Sequence, residues 1–295
     1  MIARRTLLAT PLLATPLRAA PPPARIVVAG GGVAEILVAL GLREALVGAD
    51  STSQFPASLR ALPQVGYLRN LSAEGVLSLR PDLLVLAHEA GPPPVVAQLR
   101  AAGLRMVQAP RVQSAGEVPL AIEALAQATG RQAQGALLAA AVRDDFARLA
   151  TALRAPARPQ RALFILAAGA GAPMASGTGT AGEAMLRLAG ARSAIESYAG
   201  YRAISAEAAL AAAPDWLVAP SHTVEAAGGP AAFLAQPQFA LLPAARAHRL
   251  ASLDSLYLLG FGPRAPHAAR DLAAALHGRP ELVRLPDRPW LREMT

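Results

Sequence analysis

Tyr67 and Arg69 are the two residues of this chain whose types and spacing best suit metal chemistry. The chain holds only four tyrosines, and Tyr67 stands in a loop that also carries Arg69, two residues further on. A guanidinium close to a phenol favours the phenolate form, and a phenolate is a strong ligand for ferric iron. A second interpretation stays open, in which the tyrosine ring packs at a domain rim while its hydroxyl meets water.

Two segments of the chain repeat nearly the same pattern. Each begins with Gly-Tyr (residues 66–67 and 200–201), continues to Ser-Ala-Glu (72–74 and 205–207) and ends in Pro-Asp before an apolar run (from 81 and from 214). The serines and prolines keep a register of 133 residues, and the Gly-Tyr pair is offset by one more. Because this distance exceeds the period of solenoid repeats, it predicts two similar lobes. A cleft between two lobes is a favoured place for a ligand.

Short apolar strands alternate with helices along the chain, which predicts an α/β fold with two Rossmann-like lobes and mostly parallel sheets. Ser72 is expected to cap a helix that ends before Pro81. A long stretch with apolar residues at helical spacing predicts one helix between the lobes. The predicted division is a leader over 1–20, a first lobe over 21–131, the interlobe helix over 132–155 and a second lobe over 156–295.

Composition excludes several classes of function. Hydrophobic residues make up 53% and charged residues 16% of the chain, as expected for a globular protein. The net charge is +8, and every basic residue counted in it is an arginine. The arginines are scattered singly rather than gathered into a basic stripe, so nucleic-acid binding is not expected. The chain has no cysteine, which excludes disulfides, zinc–thiolate sites and a lipid-modified cysteine.

Residues 1–20 have the pattern of an export signal. Arg4 and Arg5 precede an apolar stretch from Thr6 to Leu17, and the small residues Ala19 and Ala20 suit a cleavage site. The sequence leaves open whether export follows the general or the twin-arginine route. We therefore expect an exported protein that is free in its compartment rather than tethered by a lipid.

Patterns typical of enzymes are missing. The run Gly30-Gly31-Gly32 lacks the third glycine and the acidic partner of a dinucleotide site, so a tight strand-to-helix turn is predicted there. The chain contains no Gly-x-Ser-x-Gly and no His-Glu-x-x-His motif. The five histidines are scattered, and His267 and His277 are expected at the surface. The sequence therefore predicts a protein that is not an enzyme.

Three segments resemble the haem-binding proteins of bacterial haem-uptake ABC transporters, which are class III periplasmic substrate-binding proteins. They are Val65-Gly66-Tyr67-Leu68-Arg69-Asn70-Leu71-Ser72, Met174-Ala175-Ser176-Gly177-Thr178-Gly179-Thr180 and Leu258-Leu259-Gly260-Phe261-Gly262-Pro263-Arg264. The likeness covers essentially the whole chain after the leader. It implies a periplasmic monomer that captures haem b in the cleft and delivers it to an inner-membrane permease.

The resemblance also implies roles for particular residues. Tyr67 would be the axial ligand of the haem iron, and Arg69 would support it or bind a propionate. The second-lobe histidine of some relatives is missing here, so the iron is either five-coordinate or approached by Met174 or Tyr201. Arg202, Arg249 and Arg264 are further candidates for the propionates. Glu89 and Glu225 would dock onto the permease.

Three rival functions remain at this stage. The same fold could carry cobalamin or a ferric siderophore, although the Gly-Tyr-x-Arg loop disfavours both. An exported enzyme with two Rossmann-like lobes would need acid–base or nucleophilic groups that the sequence lacks. A purely structural docking module would bind no small molecule.

Overall fold

The computed structural model of this protein describes residues 23–154, 159–169 and 171–292. The expected leader over residues 1–20 lies outside these ranges. The described chain forms two α/β lobes, which confirms the predicted fold class. Among its helices, none combines the length and the apolar character needed to cross a bilayer. The exact division of the lobes stays a prediction, since residues 155–158 at the expected boundary are not described.

The first lobe is built around a four-stranded parallel sheet in the order β2-β1-β5-β6. Its two central strands are uninterrupted apolar runs that are buried on both faces, as parallel sheets require. The elements are β1 (Ile26–Ala29), α1 (Gly31–Ala39), β2 (Leu46–Ala49), β3 (Gly66–Tyr67), β4 (Asn70–Leu71), α2 (Ala73–Ser78), β5 (Leu83–Leu86), α3 (Pro93–Ala101) and β6 (Met106–Gln108).

A helical hairpin connects the lobes. It consists of α4 (Glu117–Thr129) and α5 (Gln132–Leu153), and α5 is the long helix predicted from the sequence. Its apolar stripe is buried, and Asp144 and Arg148 pair across one turn with an O–N distance of 2.8 Å. Helix α4 was not predicted from the sequence, and it packs extensively against α5.

The second lobe has a mixed sheet, which corrects the expectation that it repeats the first. Strand order is β10-β8-β7-β11-β12, and β9 also pairs with β7. Two antiparallel pairings, β7 with β8 and β8 with β10, extend one edge. The elements are β7 (Arg161–Ala167), β8 (Met174–Ser176), α6 (Ala181–Leu188), β9 (Arg192–Ser193), β10 (Tyr201–Ala203), α7 (Ala206–Ala212), β11 (Trp216–Pro220), α8 (Ser221–Ala226), α9 (Pro230–Leu234), α10 (Pro243–Arg246), β12 (Leu250–Leu253), α11 (Ser255–Leu259) and α12 (Ala265–Leu276).

One hydrophobic core runs through both lobes. It joins Val28 of the first sheet to Leu125 and Val142 of the helical hairpin, and these to Phe164 and Leu272 of the second lobe. Smaller clusters lie under the opposite faces of the two sheets. Because the largest cluster is continuous, the lobes share a packed interior, and their relative motion is restricted.

The chain beyond α12 returns to the helical hairpin. Arg288 donates two hydrogen bonds to the buried carboxylate of Asp145 on α5, at 2.7 and 3.1 Å. The indole nitrogen of Trp290 donates to the carbonyl of Pro263 at 3.3 Å. The tail therefore ties the second lobe to the helix that separates it from the first.

The lobes touch directly at the base of α1. A side chain at Gly32 would collide with the carbonyl of Gly260, so the two backbones meet without an intervening side chain. Close by, Arg264 at the start of α12 donates two hydrogen bonds to Glu35 on α1, at 2.6 and 3.0 Å. The guanidinium also lies over the ring of Phe55, 3.6 Å from its centre. The glycine run also forms the predicted tight strand-to-helix turn, because Gly30 alone separates the end of β1 from the start of α1.

Two histidines expected at the surface are in contact with the interior instead. His267 is only 4% exposed, and its Nε2 lies 3.2 Å from the carbonyl of Pro286. His277 is partly buried, and its Nε2 lies 3.0 Å from the carbonyl of Ala189. The expectation was wrong because it ignored the carbonyls that the returning tail and α6 bring to the last helix.

Gly32→Ala tests the contact between the lobes. The added methyl group must displace the Gly260 backbone, and overpacking of this kind typically costs about 1–3 kcal/mol of unfolding free energy. Urea denaturation measures the loss. Gly116→Ala is the matched control, because nothing lies within 4 Å of a methyl group there, and we expect a change within roughly 0.5 kcal/mol. Equal stability of the two variants would contradict the close approach.

Candidate functional site: the interlobe cleft

A cleft of about 1060 Å³ lies between the lobes, and we call it the interlobe cleft. Its walls are the loops that follow the parallel strands of both sheets. In the first lobe these are the loops after β1, β2, β5 and β6, and in the second lobe those after β7, β11 and β12. The carboxyl ends of parallel strands are where open α/β sheets bind ligands. Two such edges face each other here.

Tyr67 and Arg69 are held at this cleft by a tight hairpin. β3 and β4 pair Tyr67 with Asn70, and Leu68 and Arg69 form the turn between them. Leu68 and Leu71 are buried in the cluster below the sheet, which leaves Tyr67, 48% exposed, and Arg69 on the outer side.

Hydrogen bonds fix the position of this hairpin. Gly91 N donates to the Leu68 carbonyl and Leu71 N donates to the Gly91 carbonyl, each at 2.9 Å. Gly66 has φ +104°, and a side chain there would meet the Asn70 carbonyl, so the turn requires glycine. The phenol and the guanidinium are therefore presented to the cleft by a fixed backbone.

Tyr201, the counterpart of Tyr67, also lines the cleft but is bound differently. It lies on β10, which pairs with β8 in the main sheet of the second lobe. Its hydroxyl accepts a hydrogen bond from Gly182 N in the first turn of α6, at 3.0 Å. The Tyr201 phenol is thus engaged in holding α6, whereas the Tyr67 phenol projects into the opening.

Burial raises the pKa of Tyr201, and the hydrogen bond from Gly182 N opposes this rise. Arg69 also opposes the rise, while Glu89 adds to it, so both charged groups act on Tyr201 from across the cleft. A raised pKa keeps Tyr201 a neutral phenol at neutral pH, and a neutral phenol is a poorer iron ligand than a phenolate.

Met174 and Arg202 lie outside the residues that line the cleft. Met174 is 37% exposed on β8, on the same sheet face as Tyr201 but two residue pairs away. Arg202 follows Tyr201 on β10 and so points to the other face, where its guanidinium lies 5.2 Å from the centre of the Tyr198 ring. The structure therefore brings Tyr67, Arg69 and Tyr201 together, but not these two.

Glu89 and Glu225 are both exposed, but they are not equivalent positions. Glu89 is in the loop after β5 and lines the cleft, whereas Glu225 is on α8. The pair that keeps the 133-residue register is Glu74 and Glu207. Each is exposed in the first turn of a helix whose serine cap, Ser72 or Ser205, accepts a hydrogen bond from the backbone.

Several polar residues of the cleft wall were not singled out from the sequence as site residues, and two histidines, an arginine and a glutamine are among them. His88 and His222 follow the matched strands β5 and β11, and Arg111 and Gln113 follow β6. His222 Nε2 lies 3.4 Å from Thr223 Oγ1. The available signal was their position just after a parallel strand, where ligand-binding side chains collect.

Solved structures with this architecture are periplasmic binding proteins. A periplasmic heme-binding protein, BhuT, in complex with two hemes is 42% identical, with a TM-score of 0.79, over 85% of this chain and 98% of that one. The apo form of the periplasmic heme-binding protein RhuT from Roseiflexus sp. RS-1 is 37% identical, with a TM-score of 0.83, over 86% and 98% of the two chains.

Curated relatives are more distant. An uncharacterized ABC transporter substrate-binding lipoprotein, YvrC of Bacillus subtilis, is 26% identical over 82% of this chain and 76% of its own length. A vitamin B12-binding protein of Vibrio cholerae is 32% identical over 127 residues, which are 42% of this chain and 46% of that protein. The periplasmic binding protein family model matches residues 26–257. The chain therefore belongs to the periplasmic binding protein family.

Proposed function

We propose that this chain captures haem in the interlobe cleft and delivers it to the permease of an inner-membrane ABC transporter. The observation that carries the proposal is the exposed phenol of Tyr67, fixed by its hairpin in the cleft wall with Arg69 in the same turn. Support comes from BhuT and RhuT, which are described as heme-binding and match nearly their whole length. YvrC adds the link to ABC transport.

The donor set of the cleft suits haem. Tyr67 would bond the ferric iron as a phenolate, and Arg69 would stabilise that charge. Val33, Ile36, Leu256, Leu259 and Phe261 contribute apolar surface for the porphyrin faces. Tyr201 would form part of the opposite wall through its ring. Met174 and Arg202 remain proposed contacts of the ligand. Because neither residue lines the cleft, the ligand would contact them only if it extended beyond the lining residues.

Several finer features belong to the same proposal. The cargo is haem b, the protein acts as a monomer, and it releases haem unchanged because it is not an enzyme. It is periplasmic and free of a lipid anchor, unlike the lipoprotein YvrC, because the sequence has no cysteine to modify.

Tyr67→Phe tests the iron bond. It removes one oxygen from an exposed side chain, so the fold should persist, while hemin affinity should fall by at least about tenfold and the visible spectrum should lose its tyrosinate features. Absorbance titration with hemin measures both. Tyr201→Phe is the matched control, since it removes the other cleft phenol but only a hydrogen bond to Gly182; its hemin spectrum should match that of the unaltered protein. If Tyr67→Phe binds hemin with unchanged affinity and spectrum, the assignment of Tyr67 is wrong.

Cobalamin is the second candidate ligand, favoured by the partial likeness to the vitamin B12-binding protein of Vibrio cholerae. Titration of the same apoprotein with cyanocobalamin separates the two ligands. We expect saturable binding of hemin and none of cobalamin in the same concentration range. Saturable binding of cobalamin without binding of hemin would show that the cargo is a corrinoid instead.

We also propose that acidic residues on both lobes dock onto the permease. Glu89 and Glu225 are the pair expected from the sequence. Glu74 and Glu207 are the stronger pair, because a permease made of two like subunits presents the same surface twice and calls for equivalent partners. Each of the latter stands on an exposed, serine-capped helix of its own lobe.

Charge reversal distinguishes the two pairs. The double variant Glu74→Arg/Glu207→Arg should lower the stimulation of the transporter's ATPase by at least about tenfold, because opposite-charge contacts become repulsive. The double variant Glu89→Arg/Glu225→Arg should have a smaller effect. Hemin affinity, measured separately, shows whether Glu89 acts in the cleft instead. Loss of stimulation only in the second variant would assign docking to Glu89 and Glu225.

A further inference from the structure

The cleft contains few positive charges that are not already paired. Of the arginines considered as carboxylate partners, Arg264 is partly buried and bound to Glu35, and Arg202 lies on the other face of β10. Arg249 precedes β12, so it stands at the amino end of a parallel strand, away from the cleft. Within the part of the chain that the structure describes, the arginines that line the cleft are Arg69 and Arg111.

Arg111 is held across the cleft by a single neutral acceptor. It follows β6 in the first lobe, and its Nη2 donates to the carbonyl of Gly179 in the second lobe at 2.8 Å. In the ranges that the structure describes, its guanidinium has no other hydrogen-bond acceptor and no carboxylate within 4.0 Å. A guanidinium offers five donors in a planar fork that fits a carboxylate, so most of its capacity is unused.

Gln113 keeps the same contact between the lobes independently of Arg111. Its side-chain Nε2 donates to the Gly179 carbonyl at 2.6 Å, and its main-chain carbonyl accepts from Arg187 Nη2 at 2.6 Å. Arg187 is in turn paired with Glu183 on α6. Arg111 could therefore turn towards a ligand while the loop after β6 stays attached to α6.

We propose that Arg111 binds a carboxylate of the cargo. This role of Arg111 rests on the proposed function. It adds a second group of the ligand, besides the iron, that the first lobe would recognise. Haem has two propionate carboxylates, and a charge-assisted pair with a guanidinium is stronger than the bond to a neutral carbonyl that it would replace. Arg69 would remain beside Tyr67, so the two cleft arginines have separate tasks.

Hemin and hemin dimethyl ester test the proposal, because esterification removes both carboxylates and leaves the iron and the ring. Absorbance titrations of the unaltered protein should show tighter binding of hemin than of the ester. In Arg111→Ala, hemin affinity should fall by at least about tenfold, while affinity for the ester should stay within about twofold. Arg111 is exposed, so its removal takes nothing from the core.

Two control variants separate a ligand contact from a contact between the lobes. Gln113→Ala removes a bond to the same Gly179 carbonyl but no charge, and Arg100→Ala removes an exposed arginine on α3, outside the cleft lining. Both should keep the preference for hemin over its ester. Equal loss of both ligands in Arg111→Ala, no loss of either, or a lost preference in Gln113→Ala would overturn the proposal.

The outcomes also keep this proposal distinct from the proposed function. If the unaltered protein fails to bind hemin, or if Tyr67→Phe binds it normally with the same spectrum, the haem assignment fails and the role of Arg111 fails with it. If hemin binds through Tyr67 and Arg111→Ala retains the preference for hemin, only the role of Arg111 is rejected.

Discussion

The bidentate ion pair between Glu35 and Arg264 joins two lobes through residues 229 positions apart in the sequence. Burial raises the pKa of Glu35, while the hydrogen bonds and positive charge of Arg264 counter that rise. Removing one partner of such a pair typically costs about 3–5 kcal/mol, because the other charge stays buried alone. The pair therefore fixes where the second lobe sits on the first, and with it the width of the cleft. The backbone contact of Gly32 with Gly260 and the shared core reinforce the same arrangement.

Similar sequences in the two lobes lead to different structures. The first Gly-Tyr pair forms a separate two-stranded hairpin, whereas the second enters an antiparallel edge of the main sheet. Tyr201 consequently meets Gly182 N, and Tyr67 meets no such donor in its own short hairpin. The repeated helices are closer to each other: both begin at a serine whose oxygen accepts from the backbone three residues on. Helix caps depend on local sequence, whereas strand partners depend on the whole sheet, so the caps were preserved and the pairings were not.

Sequence patterns predicted those parts of the fold that depend on local sequence. Alternating apolar runs identified the central strands, and Leu138, Val142, Phe146 and Leu149 identified α5. Strands β8, β9 and β10 are two or three residues long and rich in small or polar residues, so no periodicity revealed them. In the candidate site, Tyr67 and Arg69 were visible as a motif and do line the cleft. Arg264 was one of the open candidates for the propionates, and its ion pair with Glu35 was not predicted because Glu35 lies in the other lobe. Arg111 belongs to no sequence motif.

The two cleft tyrosines differ in their hydrogen bonding, so the two lobes would hold a cargo differently. If the cargo binds as proposed, its metal would be bonded to Tyr67 of the first lobe, whereas the second lobe would supply only non-bonded contacts, because the Tyr201 hydroxyl is already engaged by α6. If a transporter separated the two lobes, the cargo would remain bound to the first lobe. Delivery would then require that the first lobe release both the iron–oxygen bond at Tyr67 and the carboxylate held by Arg111.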